Sequence, residues 1–371
     1  MTLPYPPNEE LHHPYNIRET SWGGRACFAS HDMPEGTVVL RADDFTGSLI
    51  QYEFRKEVCH YCYHYSNGKT LKLRVALEDV LPVTTKKNAW LRTNQKRFHG
   101  AGLWFCSEQC KTKYMSQPGI VDLIEIYEIL LDNYSKMMKK HNPDDDHQKQ
   151  LNSVKISQEI INSRWQEVEQ WMERIKCMKK SKQLLQLPII SEDEYTCCRF
   201  VAETLFKIRS YDVVCDTMKS FWELQSNELS KLEEFPILLH FQELVYKTLY
   251  ILLPDRMGSC FNTKIFRHIM GSEYGNAFGI WQEDESDDSR EFFGYQVVPR
   301  ASYFNHSCIP NLTKTRVGKT VIFTLNKPVS VDDELNIDYS GVLDYPTVKR
   351  REFLKNTWFF DCQCARCKLE I

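Results

Sequence analysis

A chain of 371 residues, 42% hydrophobic and 26% charged, is long enough for two or three compact units with a sizeable core. A net charge of -3 excludes a generally basic, nucleic-acid-coating surface, so no direct nucleic-acid binding is expected. The most apolar stretch, Ile237 to Leu253, is interrupted by His240, Gln242, Glu243 and Lys247, so it reads as a buried helix and not as a membrane span. Met1 to Glu10 is proline-rich and polar, without the pattern of a secretory signal. A reducing compartment, cytoplasm or nucleus, is therefore expected.

In chain order, Glu19 to about Gln51 has short apolar runs punctuated by glycine, such as Gly36-Thr-Val-Val-Leu40, which predicts small strands and turns. Cys59 to Tyr114 is a cysteine-bounded segment with a basic, polar interior. From Ile120 to roughly Phe266 the pattern is helical. Ile120, Leu123, Ile124, Tyr127, Leu131 and Tyr134 recur at helical spacing, as do Ile161, Trp165, Val168, Met172 and Ile175. His141 to Asp146 reads as a loop between helices, and Pro236 opens a further helix. After Gly271 the pattern returns to strands. The acidic stretch 283–291 reads as a solvated loop, with attraction of a basic peptide as the alternative. Asn311 to Arg316 and Val321 to Leu325 predict a hairpin turning at 317–320, followed by a basic helix from Thr347 to Asn356 and a cysteine knuckle.

In a reducing compartment, 14 cysteines point to metal ligation more than to disulfides. Eight are grouped: Cys59, Cys62, Cys106, Cys110, Cys308, Cys362, Cys364 and Cys367. For the scattered Cys27, Cys177, Cys197, Cys198, Cys215 and Cys260, buried apolar packing is expected.

The run Asn305-His-Ser-Cys-Ile-Pro-Asn311 precedes Glu334-Leu-Asn-Ile-Asp-Tyr339 and then Cys362-Gln-Cys-Ala-Arg-Cys367. These segments, with an opening Gly23-Gly-Arg-Ala-Cys-Phe-Ala29, resemble the SET domain family of protein lysine methyltransferases. Ala26 stands where that family has the second glycine of a Gly-x-Gly. The division of the pattern by a cysteine segment and a helical insert is similar to the SMYD group, in which a MYND zinc module interrupts the SET domain. Only two of the four ligand pairs of a full MYND module are present, and a long loop, Tyr63 to Phe105, stands in place of the others. The C-terminal helical domain of larger members is not expected.

The resemblance implies an α+β fold, a SET core of small antiparallel sheets interrupted by a zinc module and a helical insertion. The expected division is 19–55 and 271–341 for the SET parts, 56–116 for the MYND-like module, 117–270 for the helical insertion and 342–371 for the post-SET tail. Two zinc ions are expected, one on Cys59, Cys62, Cys106 and Cys110 and one on Cys308, Cys362, Cys364 and Cys367, since four thiolates close a tetrahedral site. His60, His64 and His99 are alternatives that four cysteines do not need. By the resemblance, Tyr339 is catalytic, and Gly23, Gly24, Arg25, Asn276, Asn305, His306, Tyr339 and Phe360 bind S-adenosylmethionine. Trp358 stands where a channel tyrosine is usual. The implied activity is methylation of a lysine in a histone or other protein, by a monomer. The alternative is an inactive SET and zinc adaptor that binds a protein partner, to which Ala26, Trp358 and the incomplete module lend support.

Overall fold

The computed structural model describes residues 13–22, 24–140, 155–210, 215–283 and 290–370. The loop expected at His141 to Asp146 and most of the acidic 283–291 stretch lie outside them, as does Gly23. Strands β1 (Tyr15–Thr20) and β2 (Gly24–Ala29) form an antiparallel ribbon, with Tyr15 opposite Ala29 and Thr20 opposite Gly24. Gly24 closes its tight turn with φ +69, a left-handed conformation that glycine adopts without steric cost. Strand β1 was not read from the sequence. Only Tyr15 of its six residues is buried, so it carries no alternating pattern. Strand β3 (Val38–Ala42) follows.

The chain divides into two compact units, Met1–Asp43 with Arg300–Ile371, and Asp44–Pro299. The second unit opens with β4 (Gly47–Ile50). The expected long loop then contains β5 (Leu73–Arg74), two short helices α1 (Leu77–Val80) and α2 (Ala89–Thr93), and β6 (Trp104–Phe105), which pairs with β5. Helix α3 (Glu108–Met115) is capped by the Ser107 hydroxyl.

The helical insert runs through α4 (Ile120–Met138), α5 (Gln158–Lys176), α6 (Lys180–Leu184), α7 (Glu192–Ser210), α8 (Asp216–Trp222), α9 (Glu228–Glu234), α10 (Ile237–Leu252) and α11 (Thr263–Asn276). The periodic residues of α4 and α5 face the core as their spacing predicts, with Leu131 and Met172 only half-buried. Helix α11 runs five residues past the predicted return to strands at Gly271. A Cβ on Gly271 would lie 2.0 Å from Ser226 Oγ, so this glycine permits close packing where the sequence suggests a break. Strands β7 (Ala277–Trp281) and β8 (Phe292–Val297) complete an antiparallel sheet in the order β4-β8-β7.

In the first unit the predicted hairpin is β9 (Leu312–Val317) and β10 (Thr320–Leu325), and β10 also pairs with β3. Helices α12 (Thr347–Trp358) and α13 (Ala365–Leu369) end the described chain. Small antiparallel sheets and a large set of helices make the fold α+β. Among the described residues, no helix is long and apolar enough to cross a membrane.

Candidate active site and metal clusters

The eight grouped cysteines form two clusters, each with its four sulfurs within 4.8 Å of one another. Sulfur separations are 3.5 Å for Cys62 and Cys106, 3.6 Å for Cys106 and Cys110, 3.6 Å for Cys308 and Cys367, and 3.9 Å for Cys308 and Cys362. A zinc–sulfur bond of about 2.3 Å gives a tetrahedral sulfur–sulfur edge of about 3.8 Å. A disulfide would need about 2.05 Å. Both clusters therefore fit a tetrahedral zinc ion.

Within each cluster the thiols are pulled in opposite directions: Cys62 is raised by its bond with Cys59, Cys106, Cys308 and Cys362 are raised chiefly by burial, and Cys59 and Cys364 are lowered. Hydrogen bonding with Cys62 pulls the Cys59 thiol down to about 5, helped by the amides of Cys62, Cys106 and Tyr61. At Cys364 burial pushes upward, but the amides of Cys367 and Cys308 outweigh it and leave the thiol at about 7. The imidazole of His60, held to about 3 chiefly by burial, accepts from the Trp104 amide at 3.2 Å. Of the six scattered cysteines, Cys27, Cys197 and Cys198 are buried as expected, and Cys215 and Cys260 are partly so. Cys177 is exposed at the C-terminal end of α5, against the expectation of packing, because it falls two residues past the buried Ile175.

The first unit gathers most of the candidate residues around the turn that precedes β9. His306 and Ile337 form a parallel bridge, with the Ile337 amide on the Asn305 carbonyl at 3.0 Å and the Ser307 amide on the Ile337 carbonyl at 3.1 Å. The Asn305 side chain donates to the Arg25 carbonyl at 3.3 Å and to Glu334 at 3.4 Å, tying the turn to β2. Asn311 donates to the Glu334 carbonyl at 2.9 Å and accepts from the Asn336 amide at 2.8 Å. The two asparagines thus lock the 305–311 turn to the 334–339 segment, which ends on Tyr339. Arg25 extends over the Tyr303 ring and approaches its hydroxyl at 3.5 Å. Ala26 is fully buried within β2.

Tyr339 is held at both ends. Its amide donates to His306 Nδ1 at 3.2 Å, and its hydroxyl donates to the Phe304 carbonyl at 3.1 Å. Since Nδ1 accepts, a neutral His306 carries its proton on Nε2, which lies 3.3 Å from Cys308 Sγ. Burial keeps this imidazole neutral, down to about 4. The His306 side chain thus joins the tyrosine backbone to a sulfur of the C-terminal cluster. The rings of Trp358 and Phe360 flank Tyr339 at 5.7 Å and 6.1 Å. Phe359 ends α12 in a left-handed conformation, φ +62, and starts the return that brings Cys362 to Cys308.

Asn276 belongs to the second unit, where its amide donates to the Ser272 carbonyl at 2.8 Å as the last residue of α11. Sequence reasoning missed Glu334 and Asn311 as organisers of the turn, although both stand inside the motifs. It also missed a buried carboxylate row on α4. Glu125 accepts from the Trp90 amide at 2.8 Å and pairs with Arg256, Glu128 accepts from the amides of His99 and Ala101, and Asp132 pairs with Arg97 and Lys136. Their spacing of three and four residues, beside the apolar face, was the available signal. Arg97 is committed to that row through Asp132.

A family model for the SET domain matches residues 24–340. The chain is 53% identical over 358 residues to a potential protein lysine methyltransferase, SET6, of Saccharomyces cerevisiae, covering 96% of this chain and 95% of that protein. A SET and MYND domain-containing protein of Dictyostelium discoideum is 25% identical over 371 residues, with 95% of this chain and 60% of that protein covered. The N-lysine methyltransferase SMYD2-B of Xenopus laevis is 31% identical over 81 residues, 22% of this chain and 19% of that protein. With the locked turn, the anchored tyrosine and the two cysteine clusters, these matches show that the chain belongs to the SET-domain family.

Proposed function

We propose that this chain is a protein lysine N-methyltransferase that takes its methyl group from S-adenosylmethionine. The observation that carries the reading is Tyr339, half-buried and fixed at its amide and its hydroxyl beside the locked 305–311 turn. The printed name of the similar yeast protein supports it.

The residues present suit such a cofactor. Half-buried Trp358 and Phe360 offer flat apolar faces to a base, and the Ser340 hydroxyl is buried without a partner among the described residues. Gly23, Gly24, Arg25, Asn305, His306 and Phe360 are the residues we assign to holding it. When bound, the cofactor supplies a methyl group made electrophilic by a positively charged sulfur. Burial first, then the charges of Cys27 and Glu334, push the Tyr339 phenol above its ordinary range. At neutral pH it is therefore a fixed hydroxyl dipole and not a phenolate base. Its proton is engaged by Phe304, which leaves the oxygen lone pairs to orient an incoming amine or to face developing positive charge. The apolar rings around it exclude water and favour a neutral amine, as an in-line displacement requires.

On the same reading the module 56–116 and the insertion 117–270 interrupt a SET core completed by 271–341 and the tail 342–371. Each cysteine cluster holds one zinc ion. The protein acts as a monomer in the cytoplasm or nucleus on a lysine of a histone or other protein. Calorimetric titration with S-adenosylmethionine tests the proposal. Saturable heat and a raised melting temperature are expected, since a ligand that binds only the folded state stabilises it. Neither effect at high cofactor concentration would leave the adaptor reading in its place.

A further inference from the structure

Arg350 is the largest fully buried side chain of the described residues, yet its charge belongs to neither the turn nor the tyrosine. It extends from α12 into the C-terminal cysteine cluster. Its Nε lies 3.4 Å from Cys308 Sγ and its Nη2 3.7 Å from Cys367 Sγ. The rest of the fork is fixed by protein oxygens. Nη1 donates to the Tyr345 carbonyl at 2.7 Å, and Nη2 donates to Glu370 at 2.9 Å and Thr347 at 3.3 Å. Glu370 is held in turn by Arg366 at 2.8 Å.

Burial of an arginine is costly unless a compensating charge accompanies it. Four thiolates around one divalent ion leave two net negative charges, which in a buried site need compensation of their own. Cys308, Cys362 and Cys367 are nearly inaccessible to solvent, so water does not provide it. Cys308 also lies beside the Nε2 proton of His306, so two side chains aim donors at a single sulfur.

We propose that Arg350 is the charge-compensating partner of the C-terminal metal centre, donating directly to two of its thiolates and so setting how tightly the ion is held. It is a positioning residue that acts through Cys308 and Cys367. The proposal rests on the cysteine cluster holding a metal and not on methyl transfer, so its test needs neither cofactor nor substrate.

The test is made on the full chain reconstituted with cobalt(II), whose sulfur-to-metal charge-transfer bands report on thiolate electron density. A hydrogen bond to a thiolate lowers the energy of its lone pair, so Arg350→Met is expected to shift the bands of one of two bound ions to longer wavelength. With zinc, that ion should pass to a chromophoric chelator at least about tenfold faster than in the parent, the other being unaffected, in the range known for lost outer-shell partners. Glu370→Gln separates charge compensation from a purely structural strut. It leaves both contacts to sulfur in place, so bands and release rate should stay as in the parent. Should Arg350→Met fail to fold, Arg350→Lys decides, because it keeps the charge but loses the fork. A partial shift to longer wavelength is expected. Unshifted bands with both ions bound overturn the proposal, as does uptake of only one cobalt by the parent chain. Release hastened equally by Glu370→Gln also overturns it.

Discussion

Cys59, Cys62, Cys106 and Cys110 lie against a broad apolar core shared with α4, α7 and α10. Cys308, Cys362, Cys364 and Cys367 have a much smaller one, in which Leu354 is the other buried apolar member among the described residues, edged by Leu343, Trp358 and Phe360. The donor sets are identical, so the surroundings decide what each ion contributes. In the module, carboxylates of α4 already bind the 88–101 backbone, with Glu125 on Trp90 and Glu128 on His99 and Ala101. Packing and hydrogen bonds can hold that segment when the metal is absent. In the tail the Arg350 fork bonds Tyr345, Thr347 and Glu370, all of the tail itself, and a core so small does not order a segment without a cross-link or a metal. The C-terminal cluster also reaches Tyr339 through His306.

The largest expected effect follows from removing one ligand at each site. Cys364→Ser should lose one of two zinc ions, abolish measurable S-adenosylmethionine binding and methyl transfer together, and leave most helical circular dichroism intact. Cys62→Ser should lose the other zinc ion while cofactor affinity falls no more than about tenfold, or about 1.4 kcal/mol. Elemental analysis and calorimetry on both variants check the pair. Equal loss of cofactor binding in the two would erase the distinction.

Next in size is Glu125→Ala, which takes the acceptor from the Trp90 and Leu91 amides and one of two carboxylates from Arg256, leaving it Asp122 and the Lys87 carbonyl. Breaking a buried pair on one side should cost about 3 kcal/mol, read as a lowered denaturation midpoint, with zinc content unchanged. A loss of zinc in this variant would show that the module depends on α4 to form its site at all.

The smallest effect is Asp132→Asn. Burial raises the Asp132 carboxyl, but Arg97 and Lys136 outweigh it and leave the group below its ordinary value of 3.8. A depressed folded value means that its contribution is complete above about pH 4 and is lost as pH falls through the lower value. The variant should therefore lose about 1 kcal/mol or less at neutral pH and show a flatter stability curve in acid, measured by urea titration at several pH values.

Much of this arrangement was legible in the sequence because it rests on period and spacing. Ile161, Trp165, Val168 and Ile175 mark a helix face, the Gly318 turn marks a hairpin, and tight cysteine pairs mark metal sites. What stayed hidden depends on tertiary partners. Strand β1 is recognisable only by its pairing with β2, and Gly271 reads as a breaker until Ser226 is seen against it. Arg350 stands among Lys349 and Arg351 in a basic run, and nothing in that run marks the middle residue as the buried one. The side chain of His306, assigned by resemblance to cofactor binding, is directed to Cys308 and the Tyr339 amide, a second use that its motif does not disclose.

Tyr339→Phe offers the most direct test, since it deletes one hydroxyl and little volume. The native chain and the variant are incubated with S-adenosylmethionine labelled in its methyl group and with cell lysate, and incorporation into protein lysine is counted by mass spectrometry. The native chain should label at least one protein on lysine. The variant should be slower by about a hundredfold or more, the loss typical of one preorganised donor, with cofactor affinity changed far less. Labelling at the native rate by the variant, or no lysine labelling by the native chain, would contradict methyl transfer at Tyr339.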